Sequence, residues 1–407
     1  MLIMPSVLLQ PSKFDPIIDF GLQPVSNRFL PVQSTQSVPH YDLALEVHRD
    51  IGLIRLSKPF PVHQIRPIYD WLTVFEPENH LDDLVDMVIA LPGITRDSTF
   101  GGYSFKDDST LERLANRGYK NYWRIDPIMD LGVVDKCASV ETYQAIFNRT
   151  VADQTKQRLG AADVLFVRHV VEHAYDLPNF VSSLKLLTKP SGYIVWELPD
   201  CERALTAGDI TMVWEEHRYY FTRETFKTFI LSQGLQILHF SSIPYALENC
   251  VIAITSVAGT NTLTPEPLLA NCTRELERAQ AFRAVVNTRA ARIRSHLNKM
   301  HEMQGHLCMF GAGHLAVAFL SILELAHLIA FVVDDNPNKN GMRMPVGGLE
   351  VLNSDALYRL DSKTCLLSLN PYNQPEVIAK HQRFIENGGG FMSIFPHSQN
   401  DIGVSNE

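Results

Sequence analysis

Residues 162–200 read ADVLFVRHVVEHAYDLPNFVSSLKLLTKPSGYIVWELPD. The stretch opens and closes on short apolar runs rich in β-branched residues, ADVLFVRH and YIVWELPD. Between them, LPNFVSSLKLL repeats its apolar residues at helical spacing and stops at KPSG. A buried strand, a helix and a second buried strand make a βαβ unit, whose strands run parallel with both faces covered.

The alternation extends both ways. Upstream, STFGGYSF is a predicted strand, followed by a helix over DDSTLERLANRG with Ser109 and Glu112 as a capping box and Gly118 as its stop. YKNYWRID is the next strand. Downstream come a helix over Thr222–Gly234 and the late strands LQILHF and NCVIAITSV. This pattern predicts an α/β domain with a doubly wound, largely parallel sheet over residues 86–257. Residues 1–85 read as a small module, with two short strands in YDLALEVHRDIGLIRL around a turn at Asp50–Gly52. Residues 258–303 read as a polar helical linker. From 304 to 407 the pattern restarts in HLCMFGAGH, LIAFVVDDNP, TCLLSLNP and GGGFMSIFP, a second, smaller Rossmann-like α/β domain. No solenoid-like repeat or low-complexity run is seen.

Composition excludes several function classes. The 407 residues are 45% apolar and 20% charged, ordinary for a globular chain, with a formal net charge of −9. That lacks the basic surplus of a general binder of nucleic acid or anionic membrane. The cysteines Cys137, Cys201, Cys250, Cys272, Cys308 and Cys365 are scattered without a CxxC pair, as expected of a reduced, cytoplasmic protein. MLIMPSVLLQPSKFD has no basic n-region and carries two prolines, so no signal peptide is expected. The apolar run Leu315–Val333 holds Glu324 and His327, and a helix followed by a buried strand explains it better than a membrane span.

In open α/β sheets, ligands bind beyond the carboxyl ends of the strands. That points to Gly102, Tyr103, Ser104 and Asp108 after the first strand and to Asp126 after the second, about 20 residues on, where a carboxylate commonly meets ribose hydroxyls. No GxGxxG is present. Arg168, His169 and His173 follow the third strand. HxxEH over 169–173 matches an inverted zinc-protease pattern, but it follows a strand and lacks a third ligand. Residues 209–221, DITMVWEEHRYYF, place two carboxylates and an imidazole within an apolar segment after the WELPD strand.

RHVVEH, KPSG, ELPD and WEEHRYYF stand at the spacing found in the SAM-dependent sugar C-methyltransferases, and the chain resembles that family. GLQPVSNRFL resembles its amino-terminal zinc module. MFGAGHLAVAFL and FVVDDNPNKNGMRMPVGGLEV resemble its carboxy-terminal unit. Three departures accompany the likeness. The zinc cysteines are absent, so no metal is expected. The glycine-rich SAM turn reads GYSFKDDSTL. A tyrosine of the family is Trp214 here.

The resemblance implies a class I methyltransferase domain using S-adenosyl-L-methionine to methylate carbon beside a ketone in a nucleotide-linked keto-deoxysugar. Such chemistry needs a base and enolate stabilisation, and histidine suits the base because it titrates near neutrality. The resemblance casts His217 as base and Glu216 as its partner, with Trp214, Tyr219 and Tyr220 as candidate donors. Glu215 is expected to be solvated. SAM is expected over residues 102–109, on Asp126, and near Arg168 and His169, with Lys106 turned to solvent or paired with Asp107. Asn27, His173, His314, Asn336 and Lys339 are the expected substrate contacts. An O- or N-methyltransferase, or a non-catalytic scaffold binding a nucleotide sugar or partner protein, remain alternatives, and the oligomeric state is open.

Overall fold

The computed structural model describes residues 11–72, 76–258, 265–360 and 362–403. The signal-peptide reading of the first ten residues lies outside them.

The strand Ala162–Arg168 is the axis of a six-stranded sheet and shows why the sheet is covered on both faces. Leu165 and Val167 point into one apolar cluster with Ile194, Trp196 and Leu198. Val164 and Phe166 point into another with Phe100, Tyr193 and Val195. Period-two alternation with both sets buried is the signature of a doubly wound strand. It pairs in parallel with Phe100–Gly102 on one side and Thr188–Asp200 on the other. Tyr122–Arg124 extends the parallel part beyond Phe100–Gly102. The hairpin Gln236–Ile243 and Asn249–Ser256 closes the other edge antiparallel. Phe100–Gly102 therefore lies between the next strand in sequence and the third, so the chain reverses direction across the sheet at its carboxyl end, where ligands collect.

Helix Leu177–Leu187 forms as its sequence predicts. Asp176 accepts from the Asn179 N–H, Pro178 sits in the first turn, and Leu177, Phe180, Val181, Leu184 and Leu187 are buried. The expected Ser109–Glu112 capping box is replaced one turn earlier. Ser104 and Asp107 form it, and the helix runs Asp108–Asn116.

A seven-stranded sheet forms the carboxy-terminal unit, ordered Gly390–Ser393, Thr364–Leu367, Leu307–Phe310, Ile329–Val333, Glu350–Leu352, Met342–Arg343 and Leu30–Pro31. Its first five strands are parallel. Its last strand comes from the amino-terminal module. A third sheet, antiparallel, holds Phe14–Pro24, His40–His48, Ile54–Leu56 and Tyr219–Tyr220. The last of these belongs to the WEEHRYYF segment. Each end unit therefore borrows a strand from elsewhere, and both share one apolar core containing Val25, Leu45, Tyr220, Leu307 and Ala316. Helix Pro265–Gln304 contributes Ala279, Phe282, Val286, Ala290, Ile293 and Leu297 to that core, so it is a spine rather than a spacer.

In the amino-terminal sheet, Phe14 meets His48 edge-on at 5.0 Å and lies beneath the Arg55 guanidinium at 3.5 Å. The run Leu315–Val333 resolves into helix His314–Ile322 and strand Ile329–Val333. Among the described residues, no helix is long and apolar enough to cross a membrane.

Candidate active site

The site begins where the strand Ala162–Arg168 ends. His169 takes a left-handed backbone, φ 48°, uncommon for a residue with a side chain. Its N–H is held by the Glu197 carbonyl at 2.7 Å. The reversal carries Val171–His173 across the sheet edge, towards the loop Val213–Arg218. That loop is pinned by the Arg218 N–H to the Glu172 carbonyl at 2.8 Å and by its own turn, His217 N–H to the Trp214 carbonyl at 3.0 Å. The donor and acceptor atoms of Glu172, His173 and His217 consequently all lie within 4.8 Å of one another.

Three units meet here. Asn27 of the amino-terminal module donates to Glu216 at 3.1 Å. His314 of the carboxy-terminal unit stacks on Trp214, ring centroids 4.1 Å apart and 16° from parallel. His217 faces His173 edge-on at 4.8 Å and Trp214 at 5.0 Å. Trp214, Glu216, His217 and His314 are all half-buried, so the recess in which they meet, at the junction of the three units, is not fully sealed from solvent.

The two central imidazoles sit in opposite electrostatic settings. Burial and the neighbouring His173 hold His217 well below its ordinary pKa, with His314 and Lys106 reinforcing this and only Glu76 opposing it. His173 is raised: burial pulls it down, but Glu141, with an oxygen 2.5 Å from Nδ1, outweighs that. Burial also brings His314 down to about 4. Burial, then the charges of Glu141 and Glu215, push Glu216 well above its ordinary value, favouring its neutral form.

Several expectations are corrected. Glu216 is not the partner of His217; its carboxyl turns to Asn27. Tyr220 and Trp214 are not free donors. The Tyr220 hydroxyl donates to the Trp214 carbonyl at 3.0 Å, and the Trp214 indole N–H donates to Ser26 Oγ at 3.1 Å. Tyr219 is buried in the amino-terminal sheet. Glu215 is not solvated; it is buried and accepts from the Ser26 N–H at 2.6 Å, tying the loop to the amino-terminal module. Asn336 caps a local turn by accepting from the Asn338 N–H. Lys339 donates to Asp334 at 2.8 Å and to the Ala312 carbonyl at 2.7 Å, bracing the turn that presents His314.

The expected SAM residues divide in two. Tyr103 is 1% exposed and packs edge-on against Phe147 and Phe180, so it is a core residue. Ser104 is the buried turn cap, and a Cβ on Gly102 would meet Asp107 and Leu111 at 3.0 Å. Arg168 is 1% exposed and spent on Glu197 at 2.5 Å and on Ser109 Oγ at 3.2 Å. His169 bonds Glu197 at 3.0 Å. These groups build the turn rather than an open cradle. Asp126 and Asp108 remain accessible. Asp126 accepts from the N–H groups of Ile128 and Met129, both at 2.8 Å, which keeps its carboxyl below the usual range. Ile128 and Met129 themselves are 58% and 69% exposed. An ionised carboxylate beside an exposed apolar shelf suits a ribose diol and its base. Asp108 pairs with Arg124 at 2.8 Å. Lys106 is half-buried and does not pair with Asp107. It binds Glu76 at 2.5 Å.

Sequence reasoning missed Glu76, Glu141 and Glu248. Burial and the nearby Glu76 carry the Glu248 carboxyl up to about 8. None of the three lies in a motif, and only tertiary contact brings Glu76 and Glu141 to the recess.

Residues 104–240 match the family described as methyltransferase domain, and residues 269–396 match the one described as C-methyltransferase C-terminal domain. The C-methyltransferase NovU of Streptomyces niveus is 23% identical over 330 residues, covering 78% of this chain and 77% of that protein. Solved structures with partial similarity include the 1,6-didemethyltoxoflavin-N1-methyltransferase of Burkholderia thailandensis, 7% identical over 44% of this chain and 76% of its own, TM-score 0.30. Another is a SAM-dependent methyltransferase of Aquifex aeolicus, 12% identical over 45% of this chain and 94% of its own, TM-score 0.30.

Proposed function

We propose that this SAM-dependent methyltransferase, which resembles the C-methyltransferases in both matched regions and in NovU, methylates the carbon beside a ketone in a nucleotide-linked keto sugar, with His217 as the base. The observation that carries this is the pair of imidazoles 4.8 Å apart in opposite settings, His217 with its pKa lowered by burial and His173 with its pKa raised by Glu141. Pairs of titratable groups pushed apart in this way mark a base and an acid.

In this reading neutral His217 takes the α proton, and the C–H electron pair moves into the carbonyl to give an enolate. The protonated His173 donates to the enolate oxygen, supplying the donor that Trp214, bonded to Ser26, cannot supply. Preorganised donors of this kind are worth ~3–4 kcal/mol each. SAM, when bound, supplies an electrophilic methyl group. The enolate carbon would take that methyl, its C–C bond forming as the sulfur–methyl bond breaks, the carbonyl reforms and S-adenosylhomocysteine leaves, and His217 would later release its proton to solvent. Asp126 would hold the ribose, with Ile128 and Met129 against the base. The Lys106–Glu76 pair complements the zwitterionic methionyl end, an ammonium for its carboxylate and a carboxylate for its ammonium. His314, on the unit matching the C-methyltransferase C-terminal domain, supports the substrate side through Trp214.

The test is transfer of isotope-labelled methyl from SAM to a panel of nucleotide-linked 4-keto-deoxysugars, with the product located by NMR. Label on carbon adjacent to the ketone is expected. Label on oxygen or nitrogen would replace this reading with the O- or N-methyltransferase one. Cofactor binding is checked separately by calorimetry with S-adenosylhomocysteine. One-to-one binding is expected, and Asp126→Ala should weaken it about 10- to 100-fold, the worth of hydrogen bonds to a charged group at ~1.5–3 kcal/mol.

A further inference from the structure

Glu141 lies on helix Val140–Ile146, 2% exposed, outside every sequence motif. Its Oε1 stands 2.5 Å from His173 Nδ1, and the Glu216 backbone carbonyl approaches the same nitrogen at 3.0 Å. A carbonyl only accepts, so Nδ1 carries a hydrogen in every protonation state. The tautomer is thereby fixed, and Nε2 is the nitrogen left facing the recess, 3.9 Å from Glu172 Oε1 and beside the His217 ring. This is how a buried carboxylate orients an imidazole and favours its charged form.

We propose that Glu141 is a positioning residue: it holds the second proton on His173, aims Nε2–H at the substrate carbonyl oxygen, and through that positive neighbour keeps His217 neutral. The inference rests on the reaction centre proposed above. The groups facing His173 are Glu141 from the helix, Glu172 from its own turn, Glu216 and His217 from the loop, and Lys106 from the turn after the first strand. Those facing His217 are Glu172, His173, Glu76, His314 and Lys106. Around His173, Glu141 is the carboxylate in direct contact, and Glu172 stands farther off, both of its oxygens buried without a hydrogen-bond partner. Removing the charge of Glu141 therefore removes the nearest group that offsets burial of the imidazolium.

The experiment uses the full chain carrying Glu141→Gln, with Glu141→Asp as the conservative control. Imidazole NMR titrations of His173 and His217, without substrate, are compared with pH profiles of methyl transfer. In Glu141→Gln the His173 midpoint should fall by about one unit or more, tenfold in proton affinity per unit. The His217 midpoint should rise. The acidic limb of kcat should move to higher pH, with KM for SAM within twofold of the parent. Glu141→Asp should restore part of both shifts. Unmoved imidazole midpoints in a folded Glu141→Gln protein overturn the positioning role whatever the activity. Moved midpoints with an unchanged rate profile leave Glu141 acting on the imidazoles and overturn the reaction centre instead.

Discussion

His217→Ala should lower methyl transfer to carbon by about 10²–10⁴-fold, the usual contribution of a positioned general base, while leaving S-adenosylhomocysteine affinity within twofold. His217 sits in the recess rather than in the protein core, half-buried, with its backbone fixed by the Trp214 carbonyl. Its truncation therefore removes a partly exposed ring and leaves the turn intact, so stability should change little. Because its pKa is depressed, the neutral, base-competent form persists below pH 6.5, and the parent rate should hold on mild acidification. A purely structural His217 would show the opposite pattern: a stability loss and weaker ligand binding, with the rate of bound substrate preserved. Solvent exchange of the substrate α proton in the presence of S-adenosylhomocysteine isolates the base step. Exchange in the parent and none in His217→Ala is the expected result. Equal exchange in both would remove His217 from the mechanism.

The fold was legible because its strands carry their own instructions. In ADVLFVRH, alternate residues serve opposite faces of the sheet, so the run stays apolar throughout, and helix capping at Asp176 and Thr222 marks where the chain turns. The site was legible only in its loops. The sequence places His173 and His217 at the sheet's carboxyl edge, but a motif does not say which carboxylate faces which imidazole. Glu216 is adjacent in sequence to His217 yet points to Asn27, 189 residues away. Glu215 likewise reaches Ser26 across 189 residues. Glu141, on the amphipathic stretch VETYQAI, gives no sign that its carboxylate faces inward. Periodicity reports which face of an element is buried, whereas partner choice is set by packing of elements distant in the chain. Arg168 shows the converse error. Its position after a strand suggests ligand binding, but the Glu197 carboxylate on the adjacent strand, at the same register, already claims it.

That same pair supplies the largest expected effect on stability. Glu197 is fully buried, and its carboxylate meets Arg168 Nε at 2.5 Å, His169 Nε2 at 3.0 Å and His80 Nε2 at 3.3 Å. Burial disfavours its charge, but Arg168 and the two imidazoles hold it well below the ordinary carboxylate range. Glu197→Ala leaves the 1%-exposed Arg168 guanidinium without its carboxylate and should cost ~3–5 kcal/mol, the usual penalty for breaking a buried pair by removing one partner. The sign of the pH dependence follows from the depressed pKa. The Glu197 contribution is complete above the unfolded value of about 4.3 and is lost as pH falls through the folded value. His169 is raised well above its ordinary value, because Glu76, Glu172 and Glu197 outweigh its burial. Its contribution is complete below about 6.5 and declines as pH rises through the folded value. Urea denaturation as a function of pH should therefore show the parent losing stability on the acid side more steeply than Glu197→Ala, with the difference between them narrowing as Glu197 protonates. A difference that stayed constant with pH would assign the loss to packing rather than to charge. The consequence reaches the candidate site, since the Glu197 carbonyl also holds the left-handed His169 turn from which Glu172 and His173 project. Glu197→Gln keeps that backbone contact and the side-chain shape while removing the charge. It should fall between parent and Glu197→Ala in stability, and any loss of methyl transfer it shows beyond its loss of folded protein measures how far the buried ion pair sets the geometry of the recess.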